Sequence, residues 1–73
     1  MPPFEYELIE KVEGGRLLFE IWRVTTYLKY REKRKVGHIL QIGIDKREYI
    51  TGDDRRITFN TVEEAFDYWK TKH

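Results

Sequence analysis

A single helix, written into a chain that otherwise alternates like a sheet, limits what this sequence can fold into. The helix is predicted over residues 61–70. Thr61 is its N-cap and Glu64, three residues on, completes a capping box. Glu63, Glu64 and Asp67 place negative charge toward the positive end of the helix dipole, and Lys70 and Lys72 sit toward the negative end. Val62, Ala65, Phe66 and Trp69 recur at i, i+3, i+4 and i+7, which makes one apolar stripe. A lone helix of this length is marginal in water, so the stripe must lie on a surface built by the preceding residues.

Those residues read as strands. Met1-Pro2-Pro3 is an extended leader, because the prolines block helix and ladder alike. From Phe4 to Val12, Phe4, Tyr6, Leu8 and Val12 alternate with residues that are mostly glutamate, the period of a half-buried strand. Gly14-Gly15 then supplies a two-residue hairpin turn. Residues 16–30, rich in β-branched and aromatic side chains, form the second strand. A Gly-Gly turn sets Glu13 against Arg16, Val12 against Leu17, Leu8 against Ile21 and Phe4 against Thr25. The face holding Phe4, Tyr6, Leu8, Val12, Leu17, Phe19 and Ile21 is assigned to the helix.

Residues 31–35 are predicted as the second hairpin loop and 36–44 as the third strand. Val36, His38, Leu40, Ile42 and Ile44 are placed on the core face, with Gly37 and Gly43 on the other. After a turn at residues 45–47 comes a short strand near 48–51. Gly52-Asp53-Asp54 is a further turn, and residues 55–59 a last short strand, unless the two form one bulged strand. The fold class is α+β: an antiparallel meander of three main strands plus one or two short ones, with a C-terminal helix packed on one face. Residues 1–73 read as a single small domain.

Composition narrows the function. With no cysteine and no serine, disulfides, thiolate metal sites, cysteine nucleophiles and serine triads are all excluded. The five glycines are scattered and form no phosphate loop. His38 and His73 have no ligand-spaced partners; His38 reads as a structural residue and His73 as a frayed terminus. Asp53-Asp54 lacks the alternating ligand pattern of a calcium loop and reads as turn chemistry. The expectation is a protein that is not an enzyme and has no cofactor and no metal. No apolar run reaches the roughly 20 residues of a membrane span and no secretory segment opens the chain, so a cytoplasmic protein with no membrane partner is expected.

Charge is unevenly distributed. The net charge is +1, yet residues 1–15 carry four glutamates and one lysine, while residues 16–35 carry seven basic and two acidic side chains. Two binding readings follow. The first is nucleic-acid binding, DNA or RNA, through the basic 27–35 hairpin and the adjacent sheet face. Lys29, Arg31, Lys33, Arg34 and Lys35 neutralise phosphates there, Tyr27 and Tyr30 stack on bases or sugars, and Arg16 and Arg23 extend the patch. Its bland counterpart is a solvated hairpin whose charges keep a sheet edge soluble. The second reading is a protein-interaction module or homodimer that uses an apolar patch on the helix-free face. That patch comprises Ile9, Leu18, Trp22, Val24 and Ile39. Its bland counterpart is coverage by long Lys, Arg and Glu stems.

The junction Ile57-Thr58-Phe59-Asn60-Thr61-Val62-Glu63-Glu64-Ala65-Phe66-Asp67-Tyr68 resembles the strand-to-helix junction of the plant ethylene-response-factor DNA-binding domain. It is similar also to the arm-binding domains of phage integrases. The resemblance implies a three-stranded antiparallel sheet with a C-terminal helix, and a sheet that enters the major groove of DNA. It would implicate Arg16, Trp22, Arg23 and Lys29 in that contact.

Overall fold

The computed structural model describes residues 3–43 and 47–73. Four strands run in chain order: β1 (Phe4–Glu13), β2 (Arg16–Thr26), β3 (Arg31–Gln41) and β4 (Tyr49–Thr51), followed by helix α1 (Val62–Thr71). They form one antiparallel sheet in the order β1-β2-β3-β4. The fold is therefore α+β, a meander with one helix against one face.

The first hairpin forms as the glycines dictate. Gly14 and Gly15 adopt φ of 57° and 79°, left-handed values that favour residues without a Cβ. The register pairs Glu13 with Arg16, Leu8 with Ile21 and Phe4 with Thr25, as predicted.

The second hairpin departs from the sequence reading. β2 ends at Thr26, and the turn is Leu28-Lys29, closed by the Tyr27 N–H donating to the Tyr30 carbonyl at 2.9 Å. Residues 31–35 are the first half of β3 and not a loop. A run of long cationic side chains does not break a strand whose two faces both reach solvent, because each stem turns its charge outward. A bulge follows. Ile21 pairs with Gly37 and Trp22 with Lys35, which leaves Val36 as the extra residue. This insertion shifts the parity of β3. Ile39 lies under the helix, while His38 faces Glu20 and Leu40 faces Leu18 on the helix-free side. The core positions predicted for His38 and Leu40 are thus corrected, and Ile42 lies beside Leu18 and Leu40 in a cleft rather than in the core. Gly37 also changes sides. Ile44, Asp45 and Lys46, like Met1 and Pro2, lie outside the described residues.

The core comprises Ile21, Ile39, Tyr49, Ala65 and Trp69, edged by Tyr6, Leu8, Phe19 and Val36 from the sheet and Val62 and Phe66 from the helix. Each large apolar side chain buried in this way stabilises the fold by about 1.5–3 kcal/mol. The Trp69 indole meets Tyr6 edge-on at 5.0 Å and lies directly over Gly37, where a Cβ would come within 2.7 Å of its Nε1. Glycine at the bulge is what lets the indole settle on the sheet.

Both helix ends are secured. Thr61 Oγ1 accepts from the Glu64 N–H at 3.1 Å. Toward the other end, Tyr68 donates its hydroxyl to Asp54 Oδ2 at 3.2 Å, and Lys72 lies 3.7 Å from the same oxygen. His73, expected to fray, stacks on Trp69 at 4.2 Å and meets Asp53 Oδ2 at 2.6 Å. The short strand predicted over 55–59 is reduced to a single bridge between Phe59 and Tyr49, which exchange both backbone bonds.

Candidate nucleic-acid interface

The basic hairpin is built from the ends of β2 and β3. Its tip carries a fully exposed Leu28 and is flanked by Tyr27 and Tyr30, whose rings stack at 4.6 Å with 20° between planes. The outer face of this stack is open, since Tyr30 is 62% exposed. Such a pair presents an aromatic surface at the end of the ribbon.

Strand alternation sorts the cations into two rows. Arg31, Lys33 and Lys35 share the helix-free side with Val24 and Trp22. Arg34 sits on the helix side directly opposite Arg23. Two of the first row are already engaged: Lys33 pairs with Glu7 at 3.4 Å and Lys35 with Glu20 at 3.1 Å. Among the described residues, Arg23, Lys29, Arg31 and Arg34 have no ion pair. Arg23 carries its guanidinium carbon 5.8 Å from the Phe4 ring centroid, and its buried Nε has no hydrogen-bond partner. Arg23 and Arg34 bring two like charges to facing positions of the sheet, an arrangement that favours an anion beside them.

Not every predicted residue joins this cluster. Arg16 opens β2 at the far end, ten residues from Thr26 and so roughly 33 Å away along the strand. There it borders a cleft of about 360 Å³ with Leu18, Leu40, Ile50 and Arg55.

The helix-free face is closed by its own side chains. Glu20, buried at its centre, accepts from the Trp22 indole N–H at 3.1 Å and pairs with Lys11 at 3.3 Å as well as with Lys35. The Trp22 hydrogen bond first, and then the Lys35 bond, hold the Glu20 carboxyl below its usual range, so it stays charged. Of the residues assigned to an interaction face, Ile39 is fully buried on the opposite side, under the helix, and is corrected accordingly. Val24 is only 2% exposed, and Trp22 and Leu18 are half-buried; Ile9 alone is exposed.

Asp54 accepts from the Arg56 backbone N–H at 3.1 Å, and this bond, followed by that of Tyr68, lowers its carboxyl below the usual range. Its own N–H donates to Thr51 Oγ1 at 3.2 Å, which closes the turn. Among the described residues no group of His, Asp and Glu is arranged to hold a metal ion. No described helix is long and apolar enough to cross a membrane.

Two elements of the site were not anticipated from sequence: the Tyr27–Tyr30 stack and the placing of Phe4 beneath Arg23. The signal for the first is the Tyr-x-x-Tyr spacing, which puts both rings on one rung around a two-residue turn. No protein-family model, curated protein or solved structure matches this chain.

Proposed function

We propose that this protein binds nucleic acid through the tip and helix-side flank of its β2–β3 hairpin. The observation that carries the reading is the set of cations with no acidic partner among the described residues: Lys29 in the turn, Arg31 beside it, and Arg23 opposite Arg34 on the helix side of a hairpin that ends in a stacked tyrosine pair. Phosphates neutralise such cations and relieve the Arg23–Arg34 repulsion, while the outer tyrosine face takes a base or sugar. The ligand class agrees with that implied by the resemblance of residues 57–68 to ethylene-response-factor domains. The contacting surface differs, because the helix-free face bears Glu5 and Glu7 and commits Lys11, Lys33 and Lys35 to internal pairs.

Fluorescence anisotropy with labelled single-stranded and duplex oligonucleotides tests this across a salt series. Engagement of all four cations gives a slope of log K against log salt of roughly −3 on a single strand. A Lys29/Arg31/Arg34→Ala variant is expected to lose most of that slope, and Arg16→Ala to keep it. Absence of binding at low salt, or equal binding by the triple variant, refutes the reading.

A further inference from the structure

The two edges of the sheet are unlike. β4 is three residues long, and its outer side is closed in part by the Phe59 bridge. β1 is ten residues long, pairs among the described residues only with β2, and runs in unbroken register with neither bulge nor internal proline. No bulge, internal proline or short length blunts this edge, and its protection rests on charge alone, carried by five of its ten side chains. Three of the exposed large hydrophobics, Phe4, Ile9 and Val12, lie on this strand.

The hydrogen-bond phase of the edge follows from one contact. The Thr26 N–H donates to the Pro3 carbonyl directly opposite, so odd-numbered residues of β1 turn their backbone groups toward β2. Phe4, Tyr6, Leu8, Glu10 and Val12 therefore turn theirs outward. A partner strand must meet this even-numbered set.

We infer that β1 pairs antiparallel with β1 of a second copy of this chain, centred on Leu8, to give a continuous eight-stranded sheet. Two-fold symmetry about an axis normal to the sheet requires a residue opposite itself and keeps both helices on the same side. Three centres are available near the middle of the strand. Centring on Glu7 stacks two glutamates on each other, and centring on Ile9 sets Glu5 against Glu13, which offsets the Glu7–Lys11 pairs that it forms. Centring on Leu8 sets Glu5 of each copy opposite Lys11 of the other, whose half-exposed ammonium also pairs with Glu20 of its own chain, and Phe4 opposite Val12. Opposite charges and apolar pairs at facing positions stabilise a sheet, and like charges there destabilise it. The same register covers Phe4 and Val12, which are 49% and 69% exposed in the single chain. The two basic hairpins then point to opposite ends of the joined sheet. The dimer does not depend on nucleic-acid binding.

Sedimentation equilibrium on the whole chain tests the pairing. The wild type is expected at twice its 9.0 kDa mass. Glu5→Lys turns two attractive pairs into two repulsive ones, which weakens dimerisation by roughly tenfold or more; Lys11→Glu does the same but also removes the Lys11–Glu20 pair within the chain, so its fold is checked first by circular dichroism. An equimolar mixture of the two variants restores attraction at both positions and is expected to re-form a dimer. Hydrogen exchange supplies an independent reading, because dimerisation protects the outward amides of Tyr6, Leu8 and Glu10 in a concentration-dependent way. A wild-type monomer at every soluble concentration overturns the inference. So does a dimer untouched by Glu5→Lys, or one that leaves those amides unprotected.

Discussion

Replacing Gly37 by alanine probes the junction of bulge, sheet and helix at one atom. The new Cβ would lie 2.7 Å from Trp69 Nε1, 3.0 Å from Cε2 and 3.2 Å from Cζ2, against the roughly 3.5–4.0 Å of ordinary contact. The indole has little room to yield. It is 2% exposed, set edge-on to Tyr6 and stacked on His73. Overpacking of this kind costs about 1–3 kcal/mol, and alanine recovers about 0.5–1 kcal/mol of backbone entropy. A net loss of about 1–2 kcal/mol follows, which lowers Tm by roughly 5–15 °C in a domain of this size. Circular-dichroism melts of Gly37→Ala, Trp69→Phe and the double variant separate the clash from a general defect. Phenylalanine lacks the ring edge that meets the Cβ, and Trp69 Nε1 makes no hydrogen bond that would be lost. The double variant is therefore expected to be more stable than the sum of the single losses implies. An unchanged or raised Tm for Gly37→Ala would refute the placing of Trp69 on the bulge.

Further outcomes follow from the same contacts. Thr61→Ala removes the acceptor of the Glu64 N–H and is expected to cost about 1 kcal/mol by chemical denaturation, with little change for Thr61→Ser. The Asp54 carboxyl is lowered in the folded state, so its contribution is complete above the ordinary aspartate range and is lost as pH falls below it. Asp54→Asn should therefore reduce stability at neutral pH and flatten the acid limb of a melting-temperature profile. Tyr30→Ala removes the open face of the tyrosine stack and should weaken single-strand binding by about 1–3 kcal/mol while leaving the salt slope unchanged.

The helix and the first hairpin were legible in the sequence because each is fixed locally. Thr61 and Glu64 mark a start within one turn, and Gly14-Gly15 leaves one register open to β1 and β2. The second hairpin was not legible, for a physical reason. Its turn, Leu28-Lys29, contains neither glycine, proline nor asparagine, whereas the adjacent Arg31–Lys35 run is polar enough to imitate a loop. The bulge at Val36 adjoins Gly37, on which Trp69 from more than thirty residues away rests, and no local pattern announces it. That one insertion moved His38 and Leu40 to one face and Ile39 to the other. In the candidate site, the basic and aromatic composition of residues 27–35 was visible. Which lysines are already bound to glutamates was not, because Glu7 and Glu20 come from other strands.

The most direct measurement of hairpin binding is an amide chemical-shift map of the labelled protein during titration with a short oligonucleotide at low salt. Residues 27–35 and Arg23 are expected to shift together and saturably, with Val62–Thr71 left in place. A silent hairpin, or shifts confined to the Arg16–Arg55 cleft at the opposite end of the sheet, would contradict it.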